Sequence, residues 1–476
     1  MSKEGYICYS DDHNYNLKEL LSKNDSSDFD VEINRKPTSI TTLNTKQANN
    51  ENLDAMDTRS DKDCLQRYFG AIKGGSLRGS VFAFASISFG SGLLSFPIAI
   101  AKTGPVVGLI LFILVTLLSY WTLDIFMMAG RKLKKLDFSE LVLHTMGNKM
   151  RIVADISNIT LCLGVIMSYQ YIVSVFSFEL LKDLFDYDPG TTNSWPKFIQ
   201  MFGCMVLFQV PLSLLKNVSK LQYASILGSF TLIYTIIVVC IEMPFYLQNY
   251  FKDPKHEVSN IWFVKLDWNV LDSVAIFYYG YCAHNGIFQV YQDLSRPSRR
   301  RMKKVLNGAV IMEVIMYFFM AMGGFLSEFY DCQDVFIRRP DLPGFNDYFM
   351  KVAKILIIVC LHCTMAINYN IMRDSINFMF NDNKPMRTLI DATVTIFIYI
   401  ASNTLTFFVT NVSQILNFIG GISTVVISTF LPIMIHVLTS DQKMSHYTNI
   451  TKLVICFIFS GLGIAATVKG IFDFFK

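Results

Sequence analysis

The stretch Ser76 to Gly104, SLRGSVFAFASISFGSGLLSFPIAIAKTG, constrains this chain more than any other. It is apolar over a length that crosses a bilayer, which takes roughly 20 apolar residues in a helix. Yet Gly90, Ser91 and Gly92 fall near its middle. Main-chain polar groups that face lipid cost several kcal/mol each, so a glycine break at membrane depth survives where it is buried in protein or lines a cavity. The sequence therefore predicts an unwound segment inside a membrane bundle, and that segment is a candidate binding site.

The remainder of the chain fits a membrane bundle. Hydrophobic residues make up 52% and charged residues 17%, a membrane composition once the polar first 75 residues are set aside. Further apolar runs recur at 105–129, 152–181, 198–215, 221–247, 271–293, 305–328, 349–380, 387–410, 412–438 and 452–474, which makes eleven spans. The expectation is an all-α membrane protein with a transporter-sized domain over 76–476. Residues 1–75, rich in Asn, Asp, Ser and Lys, are read as a disordered cytosolic tail, able to engage a cytosolic partner. No apolar core follows the first Met closely, so no cleaved signal peptide is expected. Lys and Arg concentrate in the loops at 131–151, 216–220 and 296–304, which predicts a cytosolic N-terminus and places Phe475 and Lys476 across the membrane. A net charge of +4 gives no reason to expect nucleic acid. Ten cysteines show no disulfide or zinc spacing, and no nucleotide or nucleophile motif is present, so no cofactor, metal beyond a coupling ion, or enzymatic activity is expected.

A second interruption lies in the sixth span, DSVAIFYYGYCAHNGIFQVYQDL from Asp272, where Gly280, His284, Asn285 and Gly286 cluster. Breaks in spans one and six have the offset of a 5+5 inverted repeat, whose binding site sits at the repeat interface. The repeats would cover 77–247 and 271–438, with 452–474 as an accessory helix. Unwinding span one aims the amides of Ser91, Gly92 and Leu93, beside Gly90, into a cavity, and the positive dipole end there suits a carboxylate. Carbonyls from Ser86 to Phe89 suit a cation or an ammonium group. A zwitterion matches both ends, so an amino acid is the expected substrate.

These residues also carry a resemblance. FGSGLLSFPIAIAKTG at 89–104 resembles the first-helix signature of the amino acid/auxin permease family. AHNGIFQVYQDLSRPSRRRMKKV at 283–305 is similar to the sixth-helix end of its sodium-coupled neutral amino acid transporter branch, and HCTMAINYNIMRDSI at 362–376 to the eighth helix. The resemblance implies the leucine-transporter-like fold, alternating access and symport coupled to Na+ or H+. Ser86 stands where sodium-coupled members often carry asparagine, while Thr364 keeps the hydroxyl of span eight. The vacuolar branch, which exchanges protons, is therefore a rival, and either the plasma membrane or a vacuolar or lysosomal membrane suits the chain.

Other candidates are weighed against plainer roles. Tyr169, midway along span three, would cap the substrate as a gate or simply pack, and Tyr279 flanks the sixth-span break. His284 is a proton or substrate contact, or a repair of a freed carbonyl. Asn368 shares a helix face with Thr364 and is a pocket candidate or an interhelical bond. Glu313 lies deep in span seven and would carry a proton or select cations; Glu242 is placed at the interface. No carboxylate sits beside either break, which favours neutral substrates over cationic ones. An amino-acid sensor using the same pocket and the tail is the alternative reading.

Overall fold

The computed structural model describes residues 75–185, 195–214, 218–252, 263–340, 342, 347–381, 388–409, 411–440 and 446–474. The tail at 1–74 and Phe475 with Lys476 lie outside the described residues. The described elements are helices, and among them eight are long and apolar enough to cross a membrane. These are α4 (Pro105–Leu133), α6 (Asn148–Phe185), α9 (Val218–Tyr250), α12 (Arg299–Glu328), α13 (Tyr348–Asn381), α14 (Thr388–Phe408), α17 (Tyr447–Phe474) and the run from α15 (Val412–Val425) to α16 (Leu431–Leu438).

The first and sixth apolar runs are each divided. The first forms α1 (Leu77–Ser88), α2 (Ser91–Leu94) and α3 (Phe96–Thr103); the sixth forms α10 (Val270–Gly280), a turn at His284–Gly286 and α11 (Ile287–Asp293). Local chemistry explains most boundaries. Ser76 accepts from the Gly79 amide at 3.1 Å and so caps α1. Gly104 adopts φ 77°, a left-handed conformation that favours glycine, and Pro105 then starts α4 where no amide donor is required.

The fourth run is shorter than a typical span. It comprises α7 (Trp195–Cys204), a wide turn at Met205–Gln209 and α8 (Val210–Ser213). A second wide turn, Val426–Phe430, joins α15 to α16. Both precede a proline, Pro211 or Pro432, whose missing N–H and bulky ring disrupt the regular ladder. One helix was not anticipated. The segment read as a basic loop holds α5 (Phe138–Met146), capped by Asp137 at the Glu140 amide.

Packing defines two ends. Ser295 N donates to Gly75 O, Gln292 to Leu136 O and Lys132 to Thr439 O, so the basic 131–135 and 296–304 segments gather at one end. At the other end Lys265 N donates to Thr103 O and Ser95 Oγ to Asp334 O. Here the segment 329–340 folds back into the bundle and buries Val335, Phe336 and Ile337 completely. Asp334 Oδ2 accepts from the Val412 amide at 2.8 Å, capping α15, while Arg338 pairs with both Asp334 and Glu179. Arg339 is buried and ion-paired with Glu242. Glu242 is thus sheltered within the protein, and a charge this sheltered persists because a partner reaches it. Asp272 joins three helix ends, with Lys102 of α3 at 2.8 Å and Lys469 of α17 at 2.7 Å.

Candidate functional site

The two breaks meet. Gly92 of α2 crosses Gly280 of α10 so closely that a Cβ on Gly92 would stand 2.9 Å from Gly280 Cα. The Phe96 ring in turn covers Gly280. Ser91 opens α2, and its hydroxyl lies 2.7 Å from Ser168 Oγ and 2.9 Å from Tyr279 OH. This buried triangle of hydroxyls ties spans one, three and six together beside the break.

A hollow of about 20 Å³ lies against it, lined by Ile87, Ser88, Gly90, Leu161, Val165, Tyr169, Tyr279, Cys282, Asn285 and Asn368. Gly90, Tyr169, Tyr279, Asn285 and Asn368 were singled out from sequence and are brought together here. That volume accommodates about one water, so the bundle is closed down on the site in this conformation. The Tyr169 hydroxyl sits over Gly90, 2.3 Å from where a Cβ would project. Asn285 donates to Asn158 Oδ1 at 3.2 Å, and Asn158 donates to Ser375, which ties the sixth-span break to α6 and α13.

Other expected residues stand apart. His284 does not line the hollow; its Nε2 is 3.0 Å from Thr122 Oγ1 of α4. Ser86 Oγ donates to Ala83 O and Thr364 Oγ1 to Cys360 O, so each hydroxyl is satisfied within its own helix. Asn368 donates to Thr364 O. Phe89 ends α1, with its ring 5.9 Å from that of Tyr317, and Leu93 is fully buried.

Tyr317 is a neighbour of the breaks that the sequence does not mark. The Tyr317 hydroxyl reaches Ser88 O at 2.9 Å and Gly280 O at 2.8 Å, sharing its single proton between carbonyls at the ends of α1 and α10. These carbonyls have lost their helical partners and require a donor. One turn earlier on α12, the Glu313 carboxyl lies against the Ser88 hydroxyl. The expectation that no carboxylate sits beside either break is therefore corrected: packing of α12 on α1 brings Glu313 to the first one. Ser168 also went unnoticed beside Tyr169; a small hydroxyl within an apolar helix gives no signal of what it meets.

Comparison with known proteins agrees with this arrangement. The family model for transmembrane amino acid transporter proteins matches residues 73–472. Sodium-coupled neutral amino acid symporter 2 of Danio rerio is 23% identical over 374 residues, covering 74% of this chain and 73% of the relative. A Toxoplasma gondii protein provisionally named amino acid transporter AAT1 is 26% identical over 261 residues, 55% of this chain but 35% of that protein. Among solved structures, the Eremococcus coleocola manganese transporter superposes with a TM-score of 0.52 at 13% identity, covering 84% of this chain and 87% of that one. This likeness speaks for the fold alone. With the family model spanning nearly the whole helical region, the chain belongs to the transmembrane amino acid transporter family.

Proposed function

We propose that this chain is a secondary active transporter of neutral L-amino acids, driven by a proton or sodium gradient through alternating access. The observation that carries the reading is that both helix breaks face one hollow. Amides of Ser91, Gly92 and Leu93 begin a helical stretch there and suit a carboxylate, while carbonyls closing α1 and α10 suit an ammonium group. Gly90, Tyr169, Tyr279 and Asn285 complete the proposed substrate contacts. Ser86, Phe89, Thr364 and Asn368 remain the proposed coupling-ion group, although a cation would have to compete with the helix bonds already made by Ser86 and Thr364. His284 is better accounted for by its bond to Thr122.

Since Glu313 sits beside the first break, the neutral class rests on the name of the zebrafish relative, which also supports sodium. Eleven crossings in a 5+5 repeat fit the eight continuous spans, the two divided runs and the short α7 to α8 segment. Gathering of the basic loops at the end that holds Gly75 supports a cytosolic N-terminus, in the plasma or a vacuolar membrane. The sensor alternative has no observation in its favour, because the tail it needs lies outside the described residues.

Full-length protein in proteoliposomes is expected to concentrate labelled neutral L-amino acids when a sodium or a proton gradient is imposed. Choline replacement of sodium identifies the ion, and failure to accumulate under either gradient would overturn the reading. A narrower test addresses Tyr169. Gly90 is extended, so alanine is not strained there, but its Cβ would collide with the Tyr169 hydroxyl. Gly90→Ala should slow uptake through about 1–3 kcal/mol of overpacking. Adding Tyr169→Phe removes the nearest colliding atom and should restore part of the rate; a double variant no faster than the single one would remove Tyr169 from the site.

A further inference from the structure

We infer that Glu313 is a proton-binding site of this carrier, protonated while the two broken helices are drawn together as here and able to release its proton when they part. The inference rests on the transport reading and adds which residue holds the coupled proton. Its basis is a set of contacts on α12.

Glu313 is 2% exposed, in the middle of a membrane-crossing helix. Its Oε1 and the facing Ser88 Oγ are both buried without a hydrogen-bond partner among the described residues. The titratable groups that act on it are two phenols, Tyr281 from the turn after α10 and Tyr317 on its own helix. α1, α2, α3, α4, α9 and the turn at 329–331 also pack on α12, and among the described residues they bring Glu313 the Ser88 hydroxyl, with no charged side chain acting on it. An ionised carboxylate without a counter-ion is among the most expensive things to bury, whereas the neutral acid needs only ordinary hydrogen-bond partners. The closed arrangement therefore selects the acid form.

What makes this a coupling site is its place beside the clasp. Glu313 and Tyr317 are one helical turn apart and share a face. Tyr317 holds the Ser88 and Gly280 carbonyls, and Glu313 faces the Ser88 side chain. If α1 and α10 separate, the phenol loses a carbonyl and Ser88 moves off the carboxyl. Water that enters the gap can then take the carboxyl proton as hydronium and solvate the carboxylate left behind. Reclosing requires a proton to return, so helix position and protonation of one group are linked.

The test uses full-length protein in proteoliposomes with a mixture of labelled alanine, serine, glutamine and leucine. Wild type should exchange these amino acids in counterflow with a rate that varies with pH, and should carry protons with them, read by an internal pH dye. Glu313→Gln keeps the shape of the acid and cannot ionise. It should still exchange, lose the pH dependence, and show proton flux and gradient-driven accumulation at the level of empty liposomes. A glutamine variant that accumulates amino acid under a pH gradient as wild type does overturns the site. So does a wild type that exchanges while moving no protons, an outcome that does not depend on the variant folding and leaves the transport reading intact. A wild type that neither exchanges nor accumulates overturns the transport reading and this site together.

Discussion

Gly92→Leu is expected to abolish amino acid uptake while leaving the protein inserted in the membrane. A Cβ at this position would lie 2.9 Å from Gly280 Cα, 3.3 Å from Gly280 N and 3.0 Å from Tyr279 Cδ1. Two of these three atoms are main chain, which cannot rotate away as a side-chain tip would. Gly280 has no room to retreat, since the Phe96 ring already covers it within 2.5 Å of its own projected Cβ. Overpacking in a well-filled core costs about 1–3 kcal/mol per inserted group, and leucine adds three further carbons at a crossing with no slack. The strain falls on the contact between the broken helices, so transport should fail before insertion does. Gly461→Leu is the matched control, because nothing lies within 4 Å of its projected Cβ. Uptake rates should be compared at equal surface expression, and transport by the Gly92 variant at the control rate would mean that the helices do not meet there.

Arg339→Met is expected to have the largest effect on stability. The guanidinium is 1% exposed, donates to Glu242 and to Ser327 Oγ at 3.3 Å, and stacks 3.7 Å from the Tyr246 ring centre. Asp347, equally buried, lies 4.0 Å away. Removing one member of a buried pair strands the other charge, which costs about 3–5 kcal/mol. Replacing every member of a buried group is often close to neutral, so Arg339→Met combined with Glu242→Gln and Asp347→Asn should recover most of the loss. Thermal unfolding of the detergent-purified protein measures both variants. An unchanged midpoint for Arg339→Met would show that the pair contributes nothing.

The breaks were legible because they violate a local rule. Glycines and polar side chains inside an apolar run oppose a continuous helix, so the interruption could be placed within two residues: α1 ends at Ser88 and helix resumes at Ser91. The same signal marked Gly280 to Gly286. Residues that complete the site obey local rules and carry no such mark. Tyr317 reads as an ordinary aromatic in an apolar helix, and its task depends on Ser88, 229 positions away. Arg339 reads as a loop charge, although Glu242 lies 97 positions off. Glu313 was conspicuous by its charge, but its proximity to Ser88 exists only once α12 packs on α1. Intrahelical patterns survive in one dimension, whereas pairings across the bundle do not.

The Asp272 carboxylate described above occupies both of its oxygens with ammonium groups, one on the second half of the first broken helix and one on the last helix. Neither lysine can slide away without leaving that buried acid short of a counter-charge. The three helix tips are consequently riveted into one corner, so a force applied to any of them is passed to the other two.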